Sequence, residues 1–116
     1  MAPIGFAILI FAAWGFTAGS PAAPAPDKPL VRIHYDLELA SYCSLVTAAV
    51  RDGFKRQLAS LIQLYQFSPE EIQSARNEAS VAVYREWQNR SLGGFRGWCR
   101  NEGAATVRRF STDTEE

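Results

Sequence analysis

Two cysteines and a single histidine are the side chains here best equipped for nucleophilic chemistry. Cys43 or Cys99 can act as a thiolate with His34 as its base, because the thiolate is the reactive form and an adjacent imidazole activates it. An even cysteine count behind an export-type leader argues instead for a bridge, and with two cysteines the pairing has no alternative. A lone histidine cannot build a His-rich metal centre, and no Cys/His/Asp spacing in the chain matches a zinc site. No metal or cofactor is therefore expected. Gly93-Gly94-Phe95-Arg96-Gly97 carries the glycines of a phosphate loop, yet it follows a helical pattern rather than a strand and lacks the context such loops need. Glu70, Glu71 and Glu78 stand near the start of a helical pattern, where their charge complements the helix dipole.

Two groups of residues are better suited to binding. Tyr84, Trp87, Phe95 and Trp98, with Tyr42 brought near them by folding, form an aromatic cluster. Arg85, Arg90, Arg96, Arg100, Arg108 and Arg109 form a basic series interrupted by only Glu86 and Glu102. Together they define a candidate binding face of Tyr84, Trp87, Arg90, Phe95, Arg96, Trp98 and Arg100, suited to a protein or to an anionic surface. The same residues have a plainer explanation, as packing around a disulfide and a solvated face. Twelve basic and twelve acidic residues cancel over the 116-residue chain, so nucleic acid is not an expected partner.

The elements that must position these residues begin after the leader. Residues 1–18 are almost wholly apolar, and small residues follow, so residues 1–22 are expected to be a cleaved signal peptide. No Lys or Arg precedes the apolar run, which leaves an uncleaved N-terminal anchor as the alternative and residues 1–18 as a membrane tether. Residues 23–35 are expected to be a Pro/Ala-rich linker followed by an extended strap. Within the strap, Val31-Arg32-Ile33-His34-Tyr35 alternates apolar and polar. Residues 36–110 form the helical domain, and the polar tail 111–116 is expected to be disordered.

The most specific local signal is the corner at Ser68. Ser68 has the position of an N-cap, Pro69 that of the first helical residue, and Glu71 the capping-box spacing. Phe67 and Ile72 occupy the two positions of a hydrophobic staple. Proline also discourages helix in the residue before it. One helix is thus expected over about 36–66 and a second over about 69–90. The inward set of the second is Ile72, Ala75, Ala79, Ala82, Val83 and Trp87. Folding at the corner places Gly53 opposite Ala82, and a mid-helix glycine points to close approach of another backbone. It also sets Cys43 about 36 Å from the corner at 1.5 Å per residue. Phe95 to Cys99 returns to the same height after the second helix stops at Gly93 and Gly94. Phe95, Trp98, Ala105, Val107 and Phe110 would then cover the remaining apolar surface as a short, glycine-broken segment.

The expected fold is all-α: an antiparallel helical hairpin with a short C-terminal helical segment pinned by Cys43–Cys99. The expected function is that of a non-enzymatic binding protein, periplasmic or secreted. A membrane-tethered envelope component, anchored in the inner membrane, is the alternative. A small enzyme is disfavoured, because polar groups converge nowhere in this pattern.

Overall fold

The computed structural model describes residues 26–90 and 93–112. The expected leader over 1–22 and the end of the tail, 113–116, lie outside the described residues. The described chain is all-α, and Cys43 is bonded to Cys99.

The first helix, α1 (Pro29–Tyr42), is the centre of the fold. It replaces the extended strap expected up to residue 35. Pro29 at its first turn supplies the φ that a helix start needs. Along α1, Leu30, Ile33, His34 and Leu37 follow a helical period on one side. Val31, Tyr35, Leu39 and Tyr42 follow it on another. A helix apolar on several sides must be buried, and Leu30, Val31, Ile33, His34, Tyr35, Asp36, Leu39 and Ala40 all are. The alternation over 31–35 comes from Arg32 and His34 falling between apolar residues. Tertiary burial overrides the strand-like pattern.

The single helix expected over 36–66 is divided in two. After Cys43, Ser44 adopts the left-handed conformation with φ 56°. The Ser44 N–H then donates to the Ser41 carbonyl at 3.1 Å, and the Leu45 N–H to the Ala40 carbonyl at 2.8 Å. These are the two bonds of a Schellman stop, here built on serine where glycine is usual. Thr47 restarts the chain as the N-cap of α2 (Ala48–Tyr65), its Oγ1 accepting from the Val50 N–H at 3.2 Å.

The corner at Ser68 forms as its residues dictate. The Glu71 N–H donates to Ser68 Oγ and the Ser68 N–H to Glu71 Oε1, both at 3.1 Å. Phe67 and Ile72 rest against the core. α3 (Pro69–Asn89) follows. Its buried stripe, Ala75, Ala79, Val83 and Glu86, recurs every three or four residues. That narrow, mostly small-residue stripe fits the large side chains of α1, which packs along α3. The helices flanking the corner barely touch each other, since α1 lies against both. Trp87, expected inward, is exposed.

The C-terminal run consists of α4 (Gly94–Trp98), a π-helical turn over Cys99–Gly103, and α5 (Ala104–Thr112). The run is helical throughout, without the glycine break expected. Ser111 and Thr112, expected in the tail, end α5, where Thr112 Oγ1 donates to the Arg108 carbonyl at 2.8 Å. Gly103 is buried, and a Cβ there would stand 3.1 Å from Leu45 Cδ1 and 3.3 Å from Cys43 Sγ. The bridge is packed against a residue without a side chain.

Gly53 has the purpose its position implies, with a different partner. The approaching backbone is that of Phe110 in α5 rather than Ala82. An added Cβ would overlap the Phe110 carbonyl oxygen and lie 2.8 Å from its carbon. Gln57 Nε2 donates to the Arg109 carbonyl at 3.2 Å beside this contact, and the Phe54 and Phe110 rings meet edge to face at 6.2 Å.

Gly53→Ala should therefore destabilise. The gain of about 1 kcal/mol in helix propensity is smaller than the cost of pushing α5 off α2, so a net loss of about 2 kcal/mol is expected in urea unfolding. An unchanged midpoint would contradict the backbone contact.

Candidate functional site

The disulfide closes the first chemical possibility. Both sulfurs are bonded to each other, with Cα atoms 5.4 Å apart, so neither is a thiolate for His34 to activate. The His34 ring instead packs edge-on to Phe54 at 5.3 Å. It is buried, and its Nε2 has no hydrogen-bond partner. Burial, and then the Arg76 guanidinium, push its pKa below 6.5, against an opposing pull from Glu38. His34 lines a groove of about 490 Å³ between α2 and α3, whose polar members are Glu38, Gln73 and Arg76. Among the described residues no group of three or more His, Cys, Asp or Glu is placed to hold a metal ion. No described helix is long and apolar enough to cross a membrane.

The seven residues of the expected binding face separate into two sets. Trp98 belongs to the core, 2 % exposed, with its Nε1 donating to Glu102 Oε2 at 2.8 Å. Arg90 turns inward beside it. Its Nη2 and Nε reach Glu86 Oε1 at 2.7 and 2.8 Å, and its guanidinium lies 5.5 Å from the Trp98 ring centre. Glu86 itself is buried, so this pair is an interior feature. Tyr35 lies in the same region. Burial, with Glu86 and Glu102 adding to it, pushes its phenol up to about 12.

Tyr84 and Trp87 face solvent, and α1 supplies a third ring. Tyr42, Tyr84 and Trp87 are 38 %, 48 % and 39 % exposed. Trp87 lies 5.6 Å from Tyr42 and is stacked on Tyr84 at 6.4 Å. Gln88 Nε2 donates to the Tyr84 hydroxyl at 3.0 Å and holds that ring in place. Val81, one turn before Tyr84, is half-exposed. Phe95, Arg96 and Arg100 are exposed on α4 and the π turn that follow. The cluster divides because α3 has a narrow buried stripe. Val83 and Glu86 lie on it, and Tyr84 and Trp87 fall beside it.

The interior polar residues were the part hardest to find from sequence. Asp36 is buried, and one of its oxygens accepts from Arg32 Nε at 3.0 Å and Arg109 Nη2 at 3.3 Å. Burial raises its carboxyl above the usual value while the two guanidinium groups pull it down. The i, i+4 spacing of Arg32–Asp36 and Glu86–Arg90 is visible in the sequence and is the ordinary mark of a surface pair. Nothing local distinguishes a buried pair from an exposed one.

No protein-family model matches the chain, and neither do the curated proteins or the solved structures at a significant level.

Two outcomes follow from these interior groups. Arg90→Ala leaves Glu86 buried without its counter-ion and should cost about 3–5 kcal/mol in chemical denaturation. The double change Arg90→Met/Glu86→Leu should recover most of that loss, and failure to recover would show that the pair's charge is not what the single change exposes. His34 binds a proton less readily in the folded chain than in the unfolded one. Stability should thus fall as pH drops below about 6.5 and level off below the native pKa. Since His34 is the only histidine, His34→Leu should flatten this slope in urea melts between pH 7.5 and 5. A slope of equal size in the variant would assign it elsewhere.

Proposed function

We propose that the protein is a non-enzymatic interaction protein of an extracytoplasmic, oxidising compartment, and that it meets a partner protein through Tyr42, Tyr84 and Trp87. The observation that carries this is a cluster of three half-exposed rings on two helices, Trp87 stacked on Tyr84 and tilted against Tyr42. Aromatic rings of this kind bring large contact area at low entropic cost, because their neighbours already hold them in place. Exposed aromatic residues are common singly, whereas a cluster of them is the more informative case. Arg96 and Arg100 are exposed on the next elements of the chain and are suited to an acidic group on the partner.

Export is part of the same proposal. The leader over residues 1–22 would deliver the chain to the periplasm or the exterior. A bridge between Cys43 and Cys99 is compatible with a compartment in which disulfides persist. The missing basic residue before the apolar run leaves a second version, in which residues 1–18 stay in place and hold the domain at the membrane. N-terminal sequencing of the exported protein separates the two: an intact Met1 selects the tether.

The test of the surface is affinity capture from the envelope fraction of the producing cell, comparing wild type with Tyr84→Ala/Trp87→Ala. Both side chains are half-exposed, so the variant should keep its helical circular dichroism. Recovery of specific partners should fall at least tenfold. Equal recovery by both proteins would end the proposal for this face.

A further inference from the structure

A second surface, on α1, α2 and α5, has a different chemistry. A groove of about 590 Å³ runs between these helices. At one end Asp36 holds Arg32 and Arg109, and Arg109 Nη2 also donates to Thr106 Oγ1 at 2.8 Å. The carboxylate is buried, whereas both guanidinium groups are well exposed. Asp36 is the acidic partner of both arginines, and neither pairs with another acidic side chain among the described residues. Two positive charges against one negative leave one positive charge uncompensated at the groove. It is held in place, because the buried carboxylate orients both guanidinium groups.

The other end is apolar. Ile33 is buried at the floor, Leu61 is half-buried, and Leu64 is 71 % exposed, the most exposed large apolar side chain described. The bond from Gln57 to the Arg109 carbonyl places that part of α2 beside the charged end. Leu64 is seven residues further on, about 10 Å at 1.5 Å per residue. A groove of this size and length, cationic at one end and apolar at the other, is complementary to a molecule with one anionic head and one chain.

We infer that this groove binds a medium-chain fatty-acid anion, its carboxylate on Arg32 and Arg109 and its chain along Ile33, Leu61 and Leu64. A single carboxylate matches the single unbalanced charge, and a planar guanidinium favours a carboxylate through paired hydrogen bonds. This site shares no residue with the aromatic patch and does not depend on it.

The experiment is calorimetric titration of the disulfide-bonded protein with sodium decanoate below its micellar concentration. Decyl maltoside supplies the same chain without charge, and acetate the charge without a chain. Saturable one-to-one binding of decanoate is expected, at least tenfold tighter than either control. Leu64→Glu places a negative charge at the exposed apolar end, where it cannot disturb the core. It should weaken decanoate at least tenfold with the melting temperature unchanged. Arg109→Gln should weaken decanoate and leave decyl maltoside as it was. Absence of saturable binding, equal affinity for the uncharged chain, or unchanged affinity in Leu64→Glu would each overturn the inference. Co-sedimentation with phosphatidylglycerol vesicles tests the same chemistry as a lipid headgroup. Vesicle binding that Arg109→Gln abolishes, in a protein indifferent to decanoate, would also overturn it.

Discussion

The architecture depends on enclosing α1. This helix has apolar residues on several sides, so no placement at the edge of a two-layer pack would satisfy it. α3 covers one side, and α2 and α5 cover others. Among the described residues, half of the buried apolar side chains come from α1, which is why the remaining helices can be amphipathic and narrow-striped. The enclosure also draws polar groups inward. Asp36 is buried with α1 and needs both Arg32 and Arg109, the second brought from the far end of the chain. His34 is buried by the same geometry, and its Nε2 finds no such partner.

Holding the C-terminal run against α1 is the second requirement. The run packs on α1 and α2 and buries Trp98, Thr106 and Phe110, and the bridge adds to that packing. The bridge spans 56 residues in sequence, and a loop of that length is worth about 4 kcal/mol in the chain-entropy description. That is a large share of the 5–15 kcal/mol typical of a whole domain. Small residues make the fit possible at both contacts. Gly103 lets the bridge and Leu45 lie against the π turn, and Gly53 lets the Phe110 backbone approach α2.

The buried carboxylates of Asp36 and Glu86 are each paired with arginine, and Arg109 of α5 ties to Asp36 of α1. The helices on either side of the Ser68 corner are wedged apart by α1, which opens the His34 groove between them. Arg90 and Trp98 have structural duties, and so the aromatic surface is carried by Tyr42, Tyr84 and Trp87. Glu86 and Arg90 show how i, i+4 pairs that resemble solvated charges serve as internal ties.

What the amino-acid sequence determined by itself is what local physics decides. The Ser68 corner was legible because its cap, proline and staple all act within six residues, Phe67 to Ile72. The all-α class followed from helical periods, the bridge from there being two cysteines, and the purpose of Gly53 from the cost of a glycine in mid-helix. What only the tertiary structure decided is everything set by distant neighbours. Residues 31–35 carry letters that suit a strand, and they are helical because three other helices surround them. The stop at Ser44 was hidden, since serine takes the left-handed conformation there in place of glycine. The partner of Gly53 lies 57 residues away, beyond the reach of any spacing rule. Whether an arginine meets solvent, as at Arg96, or a buried carboxylate, as at Arg90, depends on which side of its helix faces α1, and that orientation belongs to the assembled fold.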